Sequence, residues 1–304
     1  MVCLFLCLDW CWGSAAAAGL AYVGADALDG ITGGDTVIVD TRPLAACSER
    51  SLAGAHCLPA TDLVGPDGEL PSPPDLLWAL GTAGLSGHES ALVVGAHGEA
   101  RDFVAGLLYL AGQRRVEVLR TPIGKVMASA RYRTGPGRAR GILQDPIYTA
   151  TMRDRLVVLR AELRRDLDAG DAPEPVDGRP AAQFRRAGHI PGARNLPLAR
   201  LAARPGAAAA LSARGRYVAY GNDPMASVAL FTRLRAGSPA ATKVLLGGWR
   251  AWHTAPGYPV AGGRVKAAQA PATWWWRAAG AAMVIAALVL LALIFTNRKA
   301  QRWT

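Results

Sequence analysis

A strand, a tight loop and a helix start follow one another between Tyr217 and Phe231, a layout that can seat reactive groups. The strand is Tyr217-Val218-Ala219-Tyr220, the loop Gly221-Asn222-Asp223-Pro224-Met225-Ala226, and the helix begins Ser227-Val228-Ala229-Leu230-Phe231. Successive backbone N–H groups in such a loop can cradle an anion, with a thiolate beside them as nucleophile. This loop is poorly equipped for that chemistry. Gly221 has no side chain to attack with, Pro224 lacks an N–H donor, and Asp223 puts negative charge where an anion needs positive potential. A Gly-Asn-Asp-Pro run is also an ordinary turn. Gly221, Asn222, Asp223, Met225 and Ala226 are therefore read either as a silent turn or as a surface facing a ligand.

The flanking blocks give the loop a context. Upstream stand Val176-Asp177-Gly178-Arg179 and Ala187-Gly188-His189-Ile190-Pro191-Gly192-Ala193-Arg194-Asn195-Leu196-Pro197. Downstream stand Val244-Leu245-Leu246-Gly247-Gly248-Trp249-Arg250-Ala251-Trp252 and Gly257-Tyr258-Pro259-Val260. In this order and spacing the chain resembles a rhodanese (thiosulfate sulfurtransferase-like) domain. The resemblance implies a persulfide-carrying cysteine at the position of Gly221, so the scaffold reads as kept and the nucleophile as missing. The Cys-x5-Arg pattern of phosphatases sharing that fold is missing too. Asp177, Arg179, His189, Gly247, Gly248 and Trp249 are read as structural motif residues. Asp177 is a turn-holding carboxylate paired with Arg179, and His189 is a packing residue, since no metal-type partner set accompanies it. Neither a metal nor a cofactor is expected.

A second, more eroded copy lies upstream. Val37-Ile38-Val39-Asp40-Thr41-Arg42-Pro43 matches the block at Asp177, and Leu52-Ala53-Gly54-Ala55-His56-Cys57-Leu58-Pro59 matches the block at Asn195. Ala91-Leu92-Val93-Val94-Gly95-Ala96-His97-Gly98 matches the strand and loop at Tyr217, again without a cysteine. Val116-Glu117-Val118-Leu119-Arg120-Thr121-Pro122 is the reduced counterpart of the Gly247 block. Short apolar runs alternate with helix-like stretches such as 101–110 and 227–234, which implies α/β units with parallel strands. The expected fold class is α/β: two rhodanese-like domains, each a parallel sheet flanked by helices, plus one transmembrane helix.

The expected organisation is a signal peptide at 1–18, a degenerate rhodanese-like domain at 19–127 and a basic linker at 128–155. A rhodanese-like domain at 156–262, a juxtamembrane linker at 263–277, a transmembrane helix at 278–296 and a basic tail at 297–304 follow. About 19 apolar residues suffice to cross a hydrocarbon core. Trp274, Trp275, Trp276 and Trp303 flank the run as interfacial aromatics do, and Arg298, Lys299 and Arg302 follow it. The reading is a single-pass protein of the cell membrane with its body outside the cytoplasm, periplasmic in a bacterium, a cytoplasm-facing form being the alternative. Ala15-Ala16-Ala17-Ala18 offers a cleavage site, although no Lys or Arg precedes the apolar Val2–Leu8.

The net charge of +11 is concentrated between the copies, at Arg114, Arg115, Lys125, Arg131, Arg133, Arg138, Arg140, Arg153 and Arg155. That band reads as a solvated linker or a lipid-facing surface. No nucleic-acid motif accompanies it. Cys3, Cys7 and Cys11 fall in the leader, leaving Cys47 and Cys57 either as a disulfide or as two buried thiols. The expected partners are the bilayer and a protein of unknown identity. The expected function is a catalytically inactive, membrane-anchored binding or accessory module. The alternative is a sulfurtransferase that uses a non-standard or partner-supplied thiol.

Overall fold

Runs such as Thr36-Val37-Ile38-Val39 and Ala91-Leu92-Val93-Val94 are short, apolar and rich in β-branched residues, which suits strands covered on both faces. In the computed structural model they pair in parallel at the middle of a sheet. The structure describes residues 19–31, 35–96 and 98–263. The first sheet holds β1 (Leu20–Val23), β2 (Thr36–Asp40), β4 (His56–Cys57), β5 (Ser90–Val94) and β6 (Arg115–Leu119). Its order is β1-β6-β5-β2-β4, with all neighbours parallel. The second sheet holds β8 (Val157–Val158), β9 (Glu174–Asp177), β10 (Arg194–Asn195), β11 (Arg216–Tyr220) and β12 (Ala241–Leu245). Its order is β8-β12-β11-β9-β10, the same pattern, again parallel.

The registers align the halves residue by residue. Asp40 lies opposite Cys57 and Val94, as Asp177 lies opposite Asn195 and Tyr220. Gly95 therefore stands where Gly221 stands, each one residue past its central strand. A short antiparallel pair, β3 (Ser51–Leu52) with β7 (Thr134–Gly135), ties the basic connecting segment to the first half.

Helices α1 (Leu44–Glu49), α2 (Pro73–Thr82), α3 (Gly98–Leu110) and α4 (Ile123–Met127) accompany the first half. The second half carries α5 (Arg160–Ala169), α6 (Ala181–Ala187), α7 (Leu198–Ala203), α8 (Pro224–Gly237) and α9 (Gly248–His253). Helix α8 starts where its sequence dictates. Asp223 is the N-cap, its carboxylate accepting the Ala226 N–H at 3.0 Å, and Pro224 occupies the first turn, where a missing N–H costs nothing.

Helices α3 and α8 pack against each other, which is why every residue of α3 from Arg101 to Leu110 is buried. Their close approach runs through Gly106, where a side-chain carbon would sit 3.1 Å from the Val228 carbonyl oxygen. Thr232 donates its hydroxyl to the Asp102 carbonyl at 2.8 Å across the same contact, and Arg233 pairs with Asp102 at 2.5 Å. Phe103, Leu107 and Tyr109 from one helix join Val228, Phe231 and Leu234 from the other in a continuous core. Each such side chain contributes about 1.5–3 kcal/mol on burial, so the halves share the stability of this seam.

The connecting segment is bound down rather than looped out. Gly137 donates to the Cys47 carbonyl at 2.9 Å, Cys57 to the Arg138 carbonyl at 2.8 Å and Arg138 to the Ala55 carbonyl at 2.8 Å. Beneath it Cys47 and Cys57 form a disulfide, with Cα atoms 5.8 Å apart and both residues fully buried. Gly137 lies so close that an added carbon would be 2.7 Å from the Cys57 sulfur.

Two expectations are corrected. Among the described residues no helix is long and apolar enough to cross a membrane. The longest, α8, has 14 residues, about 21 Å at 1.5 Å per residue against a hydrocarbon core of about 30 Å. Among the described residues the fold class is α/β with parallel sheets and no transmembrane helix, and the single-pass membrane location is not supported. The span expected at 278–296, the flanking segment from 264, the basic tail and the leader at 1–18 lie outside the described residues.

Candidate functional site

The site starts from a buried ion pair that both halves build in the same way. Asp177 ends β9 inside the protein, and Arg179 donates to it from its backbone N–H at 2.8 Å, from Nε at 3.1 Å and from Nη2 at 2.6 Å. The same Nη2 donates to the Gly188 carbonyl at 2.7 Å. Asp40 and Arg42 repeat the arrangement, with Nη2 at 2.7 Å from the carboxylate and 2.6 Å from the Arg50 carbonyl. These aspartates fix the chain after a strand, and both arginines are spent on that task. Arg179 also lies 4.2 Å from the centre of the Trp249 ring. Burial, and next the Asp177 charge, push the Tyr220 phenol far above its ordinary range.

His189 stacks on Phe184 at 3.8 Å, and its backbone bridges to Ala261. It is a packing residue of a turn. Gly247 and Gly248 both adopt positive φ, +85° and +59°, so that α9 can begin directly over the loop. Trp249 then donates its N–H to the Gly221 carbonyl at 2.8 Å, and Arg250 to the Asn222 carbonyl at 2.9 Å.

The loop is closed upon itself. Gly221 donates its N–H to Ser227 Oγ at 2.9 Å, and that hydroxyl donates to the Asp223 carbonyl at 2.7 Å. Ser227 N–H goes to the same carbonyl at 3.0 Å, and Ala226 N–H goes to the Asp223 side chain. Pro224 has none to give. Among the described residues the N–H groups of Asn222, Asp223 and Met225 have no protein acceptor. Space is gone as well. A side-chain carbon on Gly221 would lie 2.6 Å from the Ala226 carbonyl carbon and 2.8 Å from the Ser227 nitrogen. Gly221 has no positive φ, so the position demands glycine for room and not for conformation.

Above the loop a cavity of about 960 Å³ lies between the halves. Gly221, Asn222, Asp223 and Ala226 line it, whereas Met225 packs against the core. From the first half Gly98 and Glu99 reach it, and from α8 Arg233. Sequence reasoning missed Glu99, Arg233 and His253 as lining residues. Nothing local marks them, because their place depends on how α3 and α8 meet. Burial of its carboxyl first, then the charges of Asp223 and Asp102, raise Glu99 above the usual carboxylate range. Cys57, in β4 opposite Asp40 of β2, is bonded to Cys47. Among the described residues no cluster of His, Cys, Asp and Glu could hold a metal ion.

A parallel sheet of this order, a buried Asp-Arg pair after one strand and a strand–loop–helix turn after the next together define a rhodanese-type fold. Residues 159–255 match the family described as Rhodanese-like domain. No curated protein matches the sequence. Among solved structures, the chain is similar to YnjE, with a TM-score of 0.61 at 17% identity, over 79% of this chain and 66% of that one. It thus spans just under two thirds of that protein's length. SseA from Escherichia coli, described by its "Rhodanese" fold and as a 3-mercaptopyruvate sulfotransferase, gives 0.59 at 19% identity over 76% of this chain and 99% of that one. Wild-type EanB gives 0.64 at 16% over 80% and 69%. At these identities the likeness establishes the fold, and a rhodanese-like domain is placed at 159–255.

Proposed function

We propose that this chain is a tandem rhodanese-like protein whose second-half pocket has lost sulfur transfer and works as a binding or accessory module. The first copy runs over 19–127 and the second over 156–262. The observation that carries this reading is the ring Gly221 N–H to Ser227 Oγ to Asp223 carbonyl, which fills the loop with its own groups. Sulfur transfer by a persulfide needs a thiolate and an anion cradle at one point, and here the first is missing and the Gly221, Ala226 and Ser227 amides of the second are bonded within the loop. The matching position in the first half, Gly95, also lacks sulfur, and its carbonyl accepts the Ile123 N–H at 3.0 Å, as Gly221 accepts from Trp249.

The test is thiosulfate:cyanide sulfur transfer by the purified full chain, with intact mass after thiosulfate exposure. The expected outcome is no thiocyanate above the protein-free blank and no added sulfur. Turnover by the unaltered protein, or a persulfide on either half, would return the sulfurtransferase reading.

A further inference from the structure

The connecting segment turns apolar side chains outward between two fixed points. Gly141 donates its N–H to the Thr82 carbonyl at 2.8 Å, and Thr149 donates to the Ser86 carbonyl at 3.0 Å. Between those anchors Tyr148 turns inward and is buried, its hydroxyl donating to Gln113 Oε1 at 3.3 Å. Ile142, Leu143 and Ile147 turn the other way and are 89%, 80% and 65% exposed. They are the three most exposed large apolar side chains among the described residues, so the exposure is gathered into one knob and not scattered. Trp78, 48% exposed, stands on the same side. It shares a face of α2 with Gly81 and Thr82, three and four residues further on. The anchored segment lies on that face, for a carbon added at Gly81 would meet Gln144 Cγ at 2.9 Å.

Cations border the knob. Arg138 joins Ile142, Leu143 and Asp145 around a cavity of about 350 Å³. Arg131 is held by Asp29, Arg140 by Asp62 at 3.5 Å, and Arg153 by the Tyr109 and Gln113 carbonyls. Arg133, Arg138 and Arg155 are exposed, and among the described residues their side chains enter no ion pair or hydrogen bond. They outnumber Asp145 and Asp154, the aspartates of residues 128–155. Two consecutive side chains as exposed as Ile142 and Leu143 form a convex point. A protein partner would need a matching cleft for it, whereas a lipid surface yields around it. An exposed Trp and a surplus of arginine beside such a point are what the headgroup layer takes up.

The geometry points to a peripheral lipid-binding site: Ile142, Leu143 and Ile147 enter the surface of an anionic phospholipid bilayer, with Trp78 at headgroup level and Arg133 and Arg138 on the phosphates. This contact is reversible and uses no spanning helix. It goes beyond the binding-module reading and shares no residue with the loop at Gly221, so its failure leaves that reading untouched.

The probe is the full chain mixed with vesicles of phosphatidylcholine, alone or blended with phosphatidylglycerol, each carrying a phospholipid with a photoreactive acyl chain. Mass spectrometry then maps the cross-links, which reads the knob itself whatever else in the chain meets lipid. Adducts should form within 139–147 on the blended vesicles and be about tenfold fewer on phosphatidylcholine alone, equivalent to about 1.4 kcal/mol. Raised salt should remove that difference. A variant with Ile142→Ser, Leu143→Ser and Ile147→Ser, and another with Arg133→Gln and Arg138→Gln, should each lower the yield at this segment and at Trp78 about tenfold. All five side chains are exposed, so the melting temperature should stay at the wild-type value in both. No adducts within 139–147, equal yields on the two vesicle types, or unaltered yields in both variants overturns the inference. A two-chain mass by light scattering that the serine variant reduces to one chain overturns it as well, by seating a second copy on the knob.

Discussion

At the scale of single residues, Gly221 and Ser227 behave as one unit. A cysteine at Gly221 has no place to go without moving the start of α8, so Gly221→Cys should cost about 1–3 kcal/mol by overpacking and restore no thiocyanate formation. Urea denaturation beside the cyanide assay checks both outcomes. Ser227→Ala leaves the buried Gly221 N–H without its acceptor, a loss of about 1–3 kcal/mol, read from the same denaturation curve. Glu99 makes a pH-dependent prediction. Its folded-state pKa is raised, so its share of stability is full below the ordinary glutamate range and is lost as pH rises through the raised value. The melting temperature of Glu99→Gln should match the wild type in acid and exceed it at neutral pH. The Asp-Arg pairs were legible in the sequence because each is local. The closed loop was not, because Ser227 reads as the first helical residue and shows nothing of where its hydroxyl turns.

At the scale of elements, the strands and their parallel pairing followed from short β-branched runs between helical stretches, and the matching blocks at Asp40 and Asp177 fall on strands of two sheets with the same order. The expected transmembrane helix was drawn from hydropathy in a segment beyond the described residues. The apolar helices inside them, α3 and α8, are hydrophobic for another reason: each covers the other. Gly106 marks that contact, yet a lone glycine inside a helical pattern looks merely unfavourable in sequence. Gly106→Ala should destabilise the protein by about 1–3 kcal/mol instead of stabilising it by removing a helix-interior glycine. Thermal unfolding decides between the two signs. The connecting segment likewise looked like solvated linker by charge, while its backbone is bonded to Cys47, Ala55 and Cys57.

At the scale of the molecule, the disulfide and the shared core set how the chain holds together. Cys47 and Cys57 enclose a short loop, ten residues apart, so replacing both with serine should cost about 2–3 kcal/mol. Both cysteines are buried, so dithiothreitol should leave the bond intact until the protein is unfolded, as thiol labelling with and without urea would record. The continuous core through α3 and α8 predicts a single cooperative urea transition for residues 19–263, with fluorescence and circular dichroism midpoints coinciding. The sequence could not place this seam, because it comes from two helices more than a hundred residues apart. Helix against helix at Gly106 also bears on heredity. A recombination that dropped either half would bare the apolar flank the other now covers, an opening for proteases.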